Sequence, residues 1–197
     1  MFYYWDLIGT FIFCVSGVLA GRQLKMDYLG LFLMGLITGT GGGTLRAMML
    51  ADAPPSIFRS PDYVLAAAVA VPVAIYFGSV LVRFSRLVSI VDALGLGIFA
   101  CVGARIGVDS GLSWWGAIGM GMVSATFGGV IRDVIRNEVP LIFRKEIYAS
   151  AALLGAALVL ALDYLGVDPN VSLSSAALAT AVIRLLAIRY AINASEH

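Results

Sequence analysis

Charge is scarce in this sequence. Asp, Glu, Lys and Arg together make up 13% of its 197 residues, where a soluble domain carries about 25%. So few charges cannot cover a water-facing surface. The formal net charge is +1, and no basic run could follow a phosphate backbone, which excludes nucleic acid as a partner. The single histidine, His197, is the last residue. There is no nucleophile elbow, phosphate loop or metal-ligand spacing, so neither an enzyme nor a cofactor or metal site is expected. Two cysteines, Cys14 and Cys101, sit inside apolar runs and read as small packing residues. The first apolar run lacks a basic n-region and a following cleavage-like site, so a removable signal peptide is not expected.

Apolar sequence is abundant, at 60%. A bilayer core about 30 Å thick takes roughly 20 such residues per helix. Seven runs qualify, over residues 3–21, 28–50, 62–82, 88–107, 113–135, 147–165 and 172–192. Pro54, Pro55 and Pro61 punctuate the second connection and Asp168-Pro169-Asn170 the sixth. The runs are too long and unbroken for barrel strands, and the predicted class is an all-α integral membrane protein with seven transmembrane helices.

Basic residues predict its orientation. Arg22, Lys25, Arg83, Arg86, Arg136, Arg144, Lys145 and Arg189 fall on one side of a seven-span chain; the other has Arg59 as its clear loop cation, with Arg105 near the end of a span. This places the N-terminus outside and the C-terminus in the cytoplasm. Tyr3, Tyr4, Trp5, Trp114 and Trp115 then share the outer interface as an aromatic belt.

The sequence aligns with itself at a shift of 86 residues. Asp6, Gly9, Phe13, Gly17 and Gly21 fall on Asp92, Gly95, Phe99, Gly103 and Gly107; Gly35, Thr40, Gly42, Gly43 and Arg46 fall on Gly121, Thr126, Gly128, Gly129 and Arg132. After one dropped residue, Pro55, Ile57, Phe58, Arg59 and Tyr63 match Pro140, Ile142, Phe143, Arg144 and Tyr148. Each unit holds three spans, an odd number, so the second copy enters the membrane inverted, as in many transporters and some channels. Repeat one is residues 1–86, repeat two 87–169, and an extra helix occupies 170–197.

Thr38-Gly39-Thr40-Gly41-Gly42-Gly43-Thr44 lies midway along the second run, and Ser124-Ala125-Thr126-Phe127-Gly128-Gly129 midway along the fifth. Successive glycines cost about 1 kcal/mol each in a helix interior and permit a kink or an unwound turn. Thr and Ser hydroxyls could satisfy the freed backbone. Two such breaks would meet near the midplane and build an ion or substrate site. The alternative is close helix packing through small residues, which is the expected role of Gly17/Gly21 and Gly103/Gly107. Three glycines in a row at Gly41–Gly43 exceed what packing needs.

Arg46 and Arg132 follow the breaks by three residues. An intramembrane arginine needs a partner or water. The simplest pairing is Asp6 with Arg46 and Asp92 with Arg132, against the alternative that both snorkel to the interface. Asp133 follows Arg132, whereas its counterpart is Ala47. Arg184 lies about 12 Å from the inner end of the seventh run at 1.5 Å per residue and either snorkels or pairs.

The stretches Gly-Thr-Gly-Gly-Gly-Thr-Leu-Arg (39–46), Gly-Gly-Val-Ile-Arg-Asp (128–133) and Asn-Glu-Val-Pro-Leu-Ile-Phe-Arg-Lys-Glu-Ile-Tyr-Ala (137–149) resemble the bacterial relatives of the trimeric intracellular cation channels (TRIC). Some members of that family carry a glycine-transporter label. Ala47 departs from the acid usual after the first arginine. The resemblance implies a bacterial inner-membrane homotrimer with one pore per subunit, lined by kinked second and fifth spans, passing monovalent cations and K⁺ above all. It carries Gly41, Gly42, Gly43, Gly128, Gly129, Arg46 and Arg132 into the pore region. Animal relatives bind an anionic lipid, and Arg144 and Lys145 would face an anionic leaflet. Freed carbonyls and hydroxyls suit cations. Half-helix N-termini after the breaks would instead attract a carboxylate, which keeps open a carrier of a small zwitterion such as glycine. A structural or sensing protein is the third possibility.

Overall fold

Polar residues at the junctions start and stop the apolar runs. Asp27 accepts from Gly30 N to cap the second helix, Ser113 does the same for Gly116 N, and Asp168 caps the last helix from just before Pro169. Gly111 and Gly166, at φ 82° and 76°, end two helices in the left-handed conformation that glycine tolerates. The computed structural model describes residues 2–51, 54–80, 84–144 and 146–190, and among these every regular element is helical.

The elements are α1 (Phe2–Gln23), α2 (Tyr28–Leu50), α3 (Ser56–Arg59), α4 (Asp62–Val80), α5 (Phe84–Asp109), α6 (Trp114–Ile135), α7 (Leu141–Arg144), α8 (Glu146–Tyr164) and α9 (Pro169–Arg189). Six of the described helices are long and apolar enough to cross a membrane: α1, α2, α5, α6, α8 and α9. In α4 the stretch Asp62–Tyr76 is apolar but shorter. The four-residue helices α3 and α7, which precede α4 and α8, were not expected from the apolar runs. Lys145, one of the cations counted for orientation, lies outside the described residues, as does Arg83.

Helix α2 is apolar on the outside and small or polar within. On α2, Leu29, Leu33 and Ile37 recur every fourth residue and are exposed, while Gly35, Thr38, Gly39, Gly42, Gly43 and Arg46 are buried. That pattern inverts a water-soluble helix and suits a lipid surround, where apolar surface is free to face outward. Helix α5 is the hub, packing on α1, α6, α8 and α9, while α2 packs on α1, α4 and α6. Cys14 and Cys101 are buried in separate packing clusters.

Contacts assign the two faces. Tyr3 meets Ser60 and Asp62, Trp5 meets Asn170, and Trp114 stacks edge-on with Tyr164, all on the face where α1 begins, called the N face below. Gln23 bonds Arg136 on the opposite face. The Gly17/Gly21 and Gly103/Gly107 pairs pack inside the subunit. A Cβ on Gly17 would meet Met34 O and Thr38, and one on Gly103 would meet Ser124 and Gly121. These faces are therefore taken and supply no argument for contacts between copies.

Candidate functional site: the crossing of two glycine-rich helices

The expected unwound turns are absent from both segments. Helices α2 and α6, the second and fifth apolar runs, continue as α-helix through Gly41–Gly43 and Gly128–Gly129. Thr38, Thr40 and Thr126 return their hydroxyls to the carbonyls of Met34, Leu36 and Met122, four residues back, at 2.7, 2.7 and 2.9 Å. The hydroxyls thus stay within an intact ladder. The glycines are explained by what lies against them. A Cβ on Gly42 would sit 2.0 Å from Ser124 O, and one on Gly128 would sit 2.2 Å from Thr38 O. The two contacts are reciprocal, since 42 and 128, like 38 and 124, differ by 86. Backbone meets backbone here, which is why packing overrode the expectation of a break.

Arginines flank this crossing. Arg46 Nη2 lies 2.8 Å from Asp6 Oδ1, with side-chain exposures of 5% and 6%. Arg132 Nη1 lies 2.6 Å from Asp92 Oδ1, each 1% exposed. Neither arginine snorkels. Each takes a serine as well: Arg46 Nη1 donates to Ser124 Oγ at 3.1 Å and Arg132 Nη1 to Ser16 Oγ at 2.7 Å. A tyrosine phenol completes each carboxylate, Tyr63 to Asp6 at 2.9 Å and Tyr148 to Asp92 at 3.4 Å. Buried charges at this depth persist only when paired and hydrogen-bonded in this way.

The halves differ at Asp133. It accepts from Arg132 Nε at 2.9 Å, and its other oxygen accepts Leu141 N at 3.0 Å, tying α7 to the site. The position corresponding to Asp133 is Ala47, which has no carboxylate to offer, so Arg46 has one acid where Arg132 has two.

Cavities approach the crossing from both sides. On the N face one of about 370 Å³ is lined by Tyr3, Ser56, Arg59, Ser60 and Tyr63. Beneath it a crevice bordered by Asp6, Thr40 and Gly43 holds only about 10 Å³, the lower limit for one water. The opposite cavity, about 280 Å³, is lined by Asp92, Arg132, Asp133, Arg136, Glu138 and Arg144 among others.

Sequence reasoning assigned no role to Ser16, Tyr63 or Tyr148. The tyrosines carried a signal, since they match each other in the self-alignment; Ser16 carried none beyond being polar in an apolar run. A third polar cluster, around the buried Arg105 and the partly exposed Asp163, also escaped it. Arg105 donates to both oxygens of Asp163, Nε at 2.7 Å and Nη2 at 2.5 Å, and Ser172 bonds both residues, joining α5, α8 and α9.

Comparison with known proteins agrees with this architecture. A family model described as glycine transporter matches twice, over residues 3–79 and 89–164. The UPF0126 inner membrane protein YadS of Escherichia coli K12 is 35% identical over 197 residues, covering 96% of this chain and 93% of the relative. A UPF0126 membrane protein of Deinococcus radiodurans is 39% identical over 153 residues, 77% of this chain and 71% of that protein. Among solved structures, the trimeric intracellular cation channel orthologue from Rhodobacter sphaeroides superposes with a TM-score of 0.90 at 36% identity, over 97% of this chain and 98% of that one. A prokaryotic TRIC channel crystallised in 0.5 M KCl gives 0.87 at 34% identity, over 98% of both chains. With the doubled family match and near-complete structural coverage, the chain belongs to the glycine-transporter domain family as a multi-pass membrane protein and a bacterial relative of the TRIC channels.

Proposed function

We propose that this protein is a monovalent cation channel, selective for K⁺, in which ions pass along the α2–α6 crossing between the two cavities. The observation that carries the reading is the neutralisation of both buried arginines, with Arg132 held by two carboxylates. At the crossing three carboxylates, Asp6, Asp92 and Asp133, face two arginines, and a stretch so balanced does not repel cations. Similarity to solved TRIC channels supports the same reading. The carrier alternative drew on half-helix N-termini at the glycines, and continuous helices offer none. No enzymatic role is proposed. The functional residues are Thr38, Gly39, Thr40, Gly41, Gly42, Gly43, Ser124, Thr126, Gly128 and Gly129 along the crossing, with Arg46, Arg132, Asp133, Asp6 and Asp92 as its charges.

The proposed unit is a homotrimer with one pore per subunit, each chain comprising inverted repeats 1–86 and 87–169 and a helix over 170–197, seven spans in all. Purified protein in planar bilayers with KCl should give unitary currents in three equal steps. Saturable glycine uptake into liposomes without unitary current would overturn the channel reading in favour of a carrier, and absence of both would leave a structural or sensing role. Exposed Arg144 is the residue proposed to meet anionic lipid.

The N face is proposed to lie outside, in the inner membrane of a bacterium. Single cysteines at Ser110 or Val167 should react with an impermeant maleimide added to intact cells, and one at Arg86 should not. The reverse pattern would invert the topology.

A further inference from the structure

We propose that Arg184 is a positioning residue for the Asp92 half of the path: it clamps the Ile147–Tyr148 corner so that the Tyr148 phenol faces Asp92, and it brings a positive charge to that half. The inference rests on the conduction reading above.

Arg184 comes from α9, outside the repeated units, and is 4% exposed. Ile147 is non-helical within α8, at φ −87° and ψ 41°, which turns its carbonyl off the regular ladder. Arg184 Nη1 donates to that carbonyl at 3.3 Å. The same guanidinium lies over the Tyr148 ring, 5.0 Å from its centroid, within cation–π range. Tyr148 is 1% exposed, and a Cβ on Gly129 would sit 2.7 Å from its hydroxyl. The phenol is thus wedged between α6 and Asp92 and cannot be reached by lipid. A cation over the ring face also draws electron density from the hydroxyl, making it a stronger donor to Asp92.

The other half solves the same problem with a neutral group. Tyr63, which bonds Asp6, opens α4 as Tyr148 opens α8, and Tyr3 holds that corner. Tyr3 hydrogen-bonds Asp62 and sets its ring edge-on to Tyr63 at 6.1 Å. One clamp is a phenol and the other a guanidinium. Arg184 thereby offsets the second acid of the Asp92 half, Asp133, which has no counterpart beside Arg46, and K⁺ entering from the Asp92 side meets the field of Arg184.

Single-channel currents at both polarities in symmetrical 0.15 M KCl test this. Arg184→Gln should change the ratio of the currents at opposite voltages by about two- to fivefold, the effect of one charge roughly 10 Å from the ion in a partly aqueous medium. Arg184→Lys, which keeps the charge, should hold the wild-type ratio. An unchanged ratio in Arg184→Gln, or an equal change in Arg184→Lys, would overturn the inference. Absence of unitary current from the wild-type protein would overturn the conduction reading instead, before any variant is compared. Should Arg184→Gln fail to assemble, Tyr148→Phe carries the test by removing one oxygen. A severalfold loss of current is expected there, and wild-type current would overturn the proposal.

Discussion

Alanine at Gly42 or Gly128 should destabilise the protein markedly, while alanine at Gly43 should leave its stability intact and suppress current. The three positions carry the same residue in similar helices, so local propensity predicts the same small gain at each, about 1 kcal/mol for replacing glycine in a helix interior. Tertiary contact separates them. At Gly42 and Gly128 the new Cβ would meet backbone oxygens of Ser124 and Thr38 at 2.0 and 2.2 Å. A backbone carbonyl in a helix cannot rotate aside, so α2 and α6 must move apart, losing Arg46–Ser124 with them. Overpacking of this kind costs about 3 kcal/mol at the upper end, which lowers an unfolding midpoint by roughly 6–12 °C for a chain of this size. At Gly43 the nearest atom would be Arg46 Nη2 at 3.6 Å, an ordinary contact. There the methyl group enters the crevice bordered by Asp6 and Thr40, which holds only about 10 Å³. Thermal unfolding in detergent and bilayer current together check this. Equal stability in all three variants would mean that α2 and α6 are not held by these contacts.

This contrast also marks where sequence reading reached and where it stopped. Six of the seven apolar runs coincide with described helices long and apolar enough to span, whereas the third, 62–82, ends among residues outside the described ones; the boundaries of α1, α2 and α6 lie within a few residues of the runs. The pairing of Asp6 with Arg46 and Asp92 with Arg132 followed from the cost of a lone buried charge and from the repeat, which sets an acid and an arginine at matching positions in each half. The state of the glycine segments did not follow, because glycine weakens a helix in isolation but also admits a neighbouring backbone, and only the neighbour decides. Arg105 and Asp163 lie 58 residues apart on helices whose adjacency no periodicity encodes. Both sit near the N-face ends of their spans, which is the one hint that could have joined them. Helices α3 and α7 are single turns between prolines and the next span, too short for an apolar period to register.

Asp6→Asn should damage the protein more than Asp92→Asn, although the two acids occupy matching positions in the self-alignment. After Asp6→Asn, Arg46 keeps the hydroxyl of Ser124 at 3.1 Å and no carboxylate among the described residues. Breaking a buried pair from one side costs about 3–5 kcal/mol; insertion scales set a lone arginine at about 2.5–3.5 kcal/mol at the bilayer centre, an upper bound for Arg46, which lies four residues before the end of α2. After Asp92→Asn, Arg132 retains Asp133 at 2.9 Å and Ser16 at 2.7 Å. The loss there is nearer one charged hydrogen bond, about 1.5–3 kcal/mol. Removing both members of a pair leaves no uncompensated charge, so Asp6→Asn with Arg46→Gln should recover part of the stability lost in either single variant. The coupling should reach about 1–3 kcal/mol, within the range for residues in direct contact. The Asp92→Asn and Arg132→Gln cycle should show weaker coupling for a second reason: Arg132→Gln strands two carboxylates, and restoring one leaves Asp133 still without its cation, although Leu141 N continues to hold its other oxygen. Unfolding midpoints of the six single and double variants give both cycles. Additive effects within about 0.5 kcal/mol in the Asp6–Arg46 cycle would mean that this pair, close as it is, contributes nothing to holding α1 against α2. Equal damage from the two acid variants would mean that Asp133 does not share the charge of Arg132, and that its work is confined to anchoring α7.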